Sequence, residues 1–196
     1  AMLRKYMIVC VLMLLVPLPS WAAGPLEEVR TSVTQGLEVL RDPALKADSA
    51  KEVKKERLRK IYDRLFDDVE LSRRTLARNW NSLTTAQRQE FVQLFRQVLE
   101  KAYVDKILTY TDEKVVYDRE IKLAENQSEV VTRVVTAGKE VPISYRVIRK
   151  DAGWKVYDVV IENVSLVQNY RTQFSEILAK NTPEQLLEIL RKKVKG

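Results

Sequence analysis

The side chain best placed to do chemistry in this sequence is Asp158. It stands between Tyr157 and Val159 inside Trp154–Ile161. That run is rich in β-branched and aromatic residues and reads as a buried strand. A carboxylate held inside a sheet can serve as the base of a small isomerase. It can equally be a structural acceptor for a tyrosine, an arginine or a strand-edge N–H. Little else in the chain would assist catalysis. There is no histidine, which removes the usual general base and the commonest metal ligand. The one cysteine, Cys10, lies in an apolar run near the N-terminus. No Gly-rich loop cradles a phosphate, and no acidic cluster has metal-ligand spacing. A serine–lysine pair built on Ser72 or Ser144 has no motif behind it. The expectation is a protein without catalytic residues, metal or cofactor. Two other readings stay open: an isomerase-like enzyme using Asp158, and an interaction module with no ligand.

The N-terminus bears on the compartment. Arg4 and Lys5 precede Met7–Leu18, an uncharged apolar run of 12 residues, and Ser20-Trp21-Ala22 follows. This pattern predicts a secretory signal peptide over residues 1–22, cleaved after Ala22. The run is shorter than the roughly 20 residues that span a bilayer. The mature chain would then hold no cysteine and no disulfide. Residues 23–196 suit one domain with a sizeable core. The net charge of the whole chain is +7, and loss of Arg4 and Lys5 lowers it by two. A basic excess often signals nucleic acid, but an exported protein rarely meets any, so no nucleic-acid partner is expected. Lys51–Lys60 and Arg191–Lys195 concentrate the charge. They read as solvated helix faces, or as surfaces drawn to anionic headgroups or an acidic partner.

Helices come first along the chain. Leu26, Val29, Val33, Leu37 and Leu40 recur at helical spacing, and Asp42-Pro43 ends that helix. Ser49-Ala50-Lys51-Glu52 has the pattern of a capping box opening a second helix. A short third helix is predicted over Leu71–Trp80. Thr84-Thr85-Ala86-Gln87 opens a long fourth helix, whose stripe of Phe91, Leu94, Phe95, Val98, Leu99, Ala102 and Tyr103 extends to about Thr109.

Four strand-length runs follow: Lys114–Glu120, Ser128–Ala137, Val141–Lys150 and Trp154–Ile161. Asn126-Gln127, Gly138-Lys139 and Asp151-Ala152-Gly153 join them, and such short connections imply an antiparallel meander. Ile143, Tyr145 and Val147 alternate with Ser144 and Arg146, giving one apolar and one wet face. After Glu162-Asn163, Ser165 can cap a helix carrying Leu166, Val167, Tyr170, Phe174, Ile177 and Leu178. Thr182 and Pro183 open the last helix. The fold class is therefore α+β: N-terminal helices and C-terminal helices packed on a curved four-stranded antiparallel sheet. Such a sheet can form a cone, as in nuclear-transport-factor-like folds, and a cone that side chains leave unfilled encloses an apolar cavity. The strand alternation and helical stripes nominate Tyr103, Ile107, Tyr145, Val147, Val159, Ile161, Leu166 and Tyr170 as its lining.

Two segments carry a family resemblance. One is GWKVYDVVIENVSLVQNYRTQFSEIL, Gly153–Leu178; the other is FDDVELSRRTLARNWNSLTTAQRQEFVQLFRQVLEKAY, Phe66–Tyr103. Both resemble the MlaC family of periplasmic phospholipid carriers, and the order of elements agrees. Where that family often has glycine this chain has Asn163, which tolerates left-handed backbone. The resemblance implies a monomeric periplasmic carrier with phospholipid as cargo, acyl chains inside and headgroup outside. It implies exchange between an outer-membrane lipoprotein–porin complex and an inner-membrane ABC transporter complex with a lipid-binding ring. The outcome would be maintained outer-membrane lipid asymmetry, the property linked to toluene tolerance.

Overall fold

The computed structural model describes residues 23–196 apart from Ala152. The expected signal peptide, with Cys10 and the cleavage point, lies outside the described residues. Six α-helices and five strands follow in the order α1 Pro25–Arg41, α2 Lys51–Leu65, α3 Asp68–Leu76, α4 Thr85–Leu108, β1 Lys114–Ala124, β2 Gln127–Thr136, β3 Lys139–Lys150, β4 Gly153–Ile161, β5 Val164–Ser165, α5 Leu166–Leu178 and α6 Pro183–Lys195. This is the α+β arrangement the sequence predicts. Among the described residues no helix is long and apolar enough to cross a membrane.

Capping explains most helix starts. Thr84 accepts from the Gln87 N–H while the Gln87 side chain accepts from the Thr84 N–H, and Thr182 and Gln185 repeat the exchange. Ser165 accepts from the Gln168 N–H at 3.0 Å, as predicted. Two expectations fail. Ser49 falls inside a 3₁₀ turn, Asp48–Ala50, so α2 starts from Ala50 with no side-chain cap. The third helix starts earlier and ends earlier than read. Asp67 caps it by accepting from the Glu70 N–H at 2.9 Å, and Ala77, at φ 51°, breaks it after Leu76. Ala77–Ser82 continues as a 3₁₀ helix.

The sheet is an antiparallel meander in the order β1-β2-β3-β4-β5. It has five strands where the sequence suggested four. Glu162 and Asn163 both take left-handed φ, 50° and 66°, as the central pair of a tight hairpin turn must. Val164 and Ser165 therefore fold back to pair with Ile161 and Val160. Register shifts in β1, between Tyr117 and Arg119, and at the β3–β4 pairing, beside Arg146 and Val147, mark bulges that increase local twist and bend the strands.

The core has two parts. One is helical: Phe91, Phe95, Val98 and Leu99 of α4 pack with Val167, Tyr170 and Phe174 of α5 and Leu186, Leu187 and Leu190 of α6. The other lies on the sheet, where Val130, Val147 and Val156 meet Val29 of α1 and Leu65 of α2. Phe66 touches both parts. It bridges to Val156 at the β4 edge, and the Asp67 N–H donates to the Val156 carbonyl at 2.9 Å. The link between α2 and α3 is thus tied to the sheet and holds the two parts together.

Candidate functional site

Strand alternation builds the apolar face rung by rung. Ser128, Val147 and Val156 stand side by side across β2, β3 and β4. Val130, Tyr145 and Val159 form the next rung, and Thr132, Ile143 and Ile161 the one after. Tyr117 of β1 lies opposite Thr132. Burial is not uniform along this face. Val130, Val147 and Val156 have no accessible surface, sealed beneath Val29 and Leu65. Tyr145, Val159, Ile143, Ile161 and Tyr117 keep part of theirs. So do Leu26 and Val33 of α1, which pack against the same layer. β2 is buried along the whole of this face, at Ser128, Val130, Thr132 and Val134, while its neighbours on β1, β3 and β4 at the far rungs are left partly open.

Tyr145 packs within this apolar layer. Burial pushes its phenol far above the ordinary tyrosine value, and the nearby Tyr117 and Tyr110 hydroxyls push in the same direction. The residue nonetheless keeps part of its accessible surface. Tyr117 is also held up chiefly by burial, against the pull of the Arg30 guanidinium, which lies 4.7 Å from its ring centre.

The structure divides the sequence-predicted lining. Tyr145, Val147 and Val159 lie together in the sheet layer, and Ile161 is half-buried on the next rung. Tyr103, Leu166 and Tyr170 pack in the helical core instead. Ile107 is 40% exposed near the end of α4. Val147, with no free surface, supports the face from below. Ile143, Tyr117, Leu26 and Val33 border the same face, and Tyr110 lies near Tyr145, though none was among the nominated residues. Alternation alone could have nominated Ile143 and Tyr117; Tyr110 follows the helix in a loop and carries no periodic signal.

The opposite face is polar, as predicted. Arg133 is held by Asp118 and Glu140, and Arg146 by Asp158 and Glu129. At its junction with α3 and α5 lies a concavity of about 350 Å³, bordered by Arg74, Arg146, Tyr157, Asp158, Ser165 and Arg171. Another, of about 400 Å³, runs between α1 and α2 past Asp42, Arg57, Lys60 and Arg64. Neither is bordered by the residues nominated for an apolar cavity. Among the described residues no group of histidine, cysteine, aspartate and glutamate side chains is placed to hold a metal.

Asp158 sits on this polar side and is 2% exposed. Its Oδ1 accepts from the Val167 N–H at 3.0 Å. Its Oδ2 accepts from the Ser165 hydroxyl at 2.6 Å and from Arg146 at 3.3 Å. The carboxylate thus fastens the first turn of α5 to the end of β4. Asp158→Asn keeps the shape but turns an NH₂ toward donors. It should lower stability by about 1–3 kcal/mol, the scale for a hydrogen bond to a charged group. Urea unfolding measures the loss, and bound lipid should be unaffected.

The basic runs are largely self-paired. Lys51 meets Asp105, Lys55 meets Glu52, Arg59 meets Glu100, and Arg191 is shared by Glu90 and Glu184. Such exposed pairs contribute little to stability. They use up charge that would otherwise steer a partner.

A mixed fold of this order, with a half-open apolar sheet face and a fully bonded carboxylate, has the build of a binding domain. The family model described as MlaC protein matches residues 30–192. The chain belongs to the MlaC family. It is 25% identical over 119 residues to the intermembrane phospholipid transport system binding protein MlaC of Haemophilus influenzae, a match covering 58% of this chain. The match spans 56% of the length of that relative. The fold is shared with the phospholipid-binding protein from Ralstonia solanacearum, solved in complex with a phospholipid. The TM-score is 0.81 at 23% identity, over 88% of this chain and 98% of the other.

Proposed function

We propose that this chain is a periplasmic phospholipid carrier, holding acyl chains against the open end of the apolar sheet face. The observation that carries the reading is the half-buried set Tyr145, Val159, Ile143, Ile161 and Tyr117 on the apolar sheet face, of which Tyr117, Tyr145 and Val159 pack in one layer with Leu26 and Val33 of α1. The Haemophilus relative named for intermembrane phospholipid transport and the Ralstonia protein solved with a phospholipid support the choice of ligand.

Energetics set the requirement. Burying acyl chains contributes about 0.8 kcal/mol per methylene, on the order of 20 kcal/mol for two chains. A carrier crossing water must offer an apolar surface of comparable worth, or the lipid stays in its membrane. The headgroup stays wet and asks for few contacts. No catalytic residue is needed, and the bonded state of Asp158 supports a non-enzymatic role.

The mature unit on this reading is residues 23–196, released by cleavage of residues 1–22. It shuttles phospholipid between the outer and inner membranes and contributes to outer-membrane lipid asymmetry. Its partners are the inner-membrane ABC transporter complex with its lipid-binding ring and the outer-membrane lipoprotein–porin complex. Release needs such a partner, because a site that outcompetes water does not empty into buffer.

Photo-crosslinking tests the location. A crosslinking residue at Val159 or Ile161 should capture labelled phospholipid. The same residue at Arg146 or Arg133, on the polar face, should capture little. Capture confined to the polar face would overturn the assignment.

A further inference from the structure

We propose that the concavity where α3 and α5 meet the polar face of the sheet is a second binding site, one that takes a phosphate monoester. It lies on the face opposite the apolar one and stands or falls apart from the carrier reading.

Arg74 of α3, Arg146 of β3 and Arg171 of α5 all border this space of about 350 Å³. Each guanidinium is held in place. That of Arg74 lies 3.9 Å from the centre of the Tyr157 ring, and its Nε donates to Glu70 at 2.7 Å. Arg171 donates from Nε and Nη2 to the Arg74 carbonyl, at 3.0 Å and 2.7 Å. Its Nη1 donates to the Gln168 side chain at 3.2 Å. Arg146 donates to Asp158. Side chains already fixed lose little further freedom when a ligand arrives.

Positive charge is left unmatched here. Arg146 is answered by Asp158 and Glu129. Glu70 is divided between Arg74, Arg73 and Lys150. Arg171 has no carboxylate partner among the described residues. Among the same residues the terminal nitrogens of Arg74 have no protein acceptor. Asp158, the carboxylate in the wall, has both oxygens filled by Val167, Ser165 and Arg146 and cannot take up these donors. The helices that carry the basic runs differ, since carboxylates pair with Arg59 and Arg191 there.

An oxyanion supplies the missing acceptors. Guanidinium forks match the geometry of phosphate and carboxylate oxygens. Two guanidiniums with unmatched charge suit a phosphate monoester, which carries close to two negative charges near neutral pH. A carboxylate or a phosphodiester carries one. The volume lies at the small end of the roughly 300–1,000 Å³ usual for ligand pockets. Val167 and Leu123 add apolar wall for a short organic group. The same phosphate occurs on small soluble esters and on the headgroup of phosphatidic acid.

Isothermal titration calorimetry of the purified protein with glycerol phosphate should show saturable one-to-one binding. Dimethyl phosphate, a diester with a single charge, should bind about tenfold more weakly. Arg74→Gln and Arg171→Gln should each weaken glycerol phosphate binding by about tenfold or more, the scale of one hydrogen bond to a charged group. Arg57→Gln, in the groove between α1 and α2, should bind as the wild type does. Thermal unfolding checks that the variants fold. If Arg171→Gln does not, Arg74→Lys, which keeps the charge and loses the fork, should show the same weakening. Flotation with phosphatidylcholine vesicles containing phosphatidic acid separates the two sources of the phosphate. Glycerol phosphate binding without flotation supports the site with a soluble ligand. Flotation that Arg74→Gln and Arg171→Gln abolish, without glycerol phosphate binding, supports it with a lipid headgroup. Absence of both overturns the proposal and leaves the carrier reading standing. Binding that the arginine variants leave unchanged, or that does not distinguish dimethyl phosphate, also overturns it.

Discussion

Val159→Glu is expected to reduce the phospholipid recovered with the protein by about tenfold or more, the change that 1.4 kcal/mol produces. Val159 lies opposite Tyr145 in the half-buried part of the sheet face, within the cluster that contains Val130 and Val156. A carboxylate there faces hydrocarbon when lipid is bound. Stripping water from an unpaired carboxylate costs several kcal/mol or more, far above the tenfold threshold. Without lipid, the glutamate can keep its water through the surface that Val159 leaves accessible. The folded state should therefore survive while occupancy falls. Mass spectrometry of extracted lipid measures occupancy, and circular dichroism checks the fold. Unchanged occupancy in a folded Val159→Glu protein would place the acyl chains elsewhere.

Phe95→Ala should have the largest effect on stability, a loss of about 3–5 kcal/mol. Phe95 has no accessible surface. Its ring centre lies 5.1 Å from Tyr170, 5.3 Å from Phe174 and 5.5 Å from Phe91. Truncation leaves a cavity bordered by rings from α4 and α5, which cannot close it without moving both helices. Total stabilities of about 5–15 kcal/mol are usual, so the variant would retain only part of its margin. Urea titration should show an earlier midpoint with a similar slope. A loss below 1 kcal/mol would mean that this cluster is looser than its geometry indicates.

Local signals carried most of the fold. The α4 stripe, the capping residues Thr84, Ser165 and Thr182, and the alternation around Tyr145 each state their structure within a few residues. Other features depend on contacts that no short window contains. Ser49 has the spacing of a cap, but the chain uses a 3₁₀ turn there and leaves the helix start to Ala50. β5 has two residues and exists because Glu162 and Asn163 turn the chain back onto β4. The apolar sheet face was legible in part. Alternation brought Tyr145 and Val159 forward, because period two assigns a face directly. Tyr103, Leu166 and Tyr170 were nominated from helical stripes, and a stripe says that a side is buried and not what it is buried against. Here it is buried against Phe95 and its neighbours. Asp158 drew attention as a lone carboxylate, and its role as the anchor of α5 became visible only with Ser165, Val167 and Arg146 around it.

Organic extraction of the purified protein, followed by mass spectrometry, tests the central claim most directly. The protein should be isolated from the cell envelope without detergent, and lipid counted against protein. The carrier reading predicts phospholipid in stoichiometric proportion, released only when the fold is disrupted. A folded protein that yields no phospholipid, and takes none up from vesicles, would contradict it.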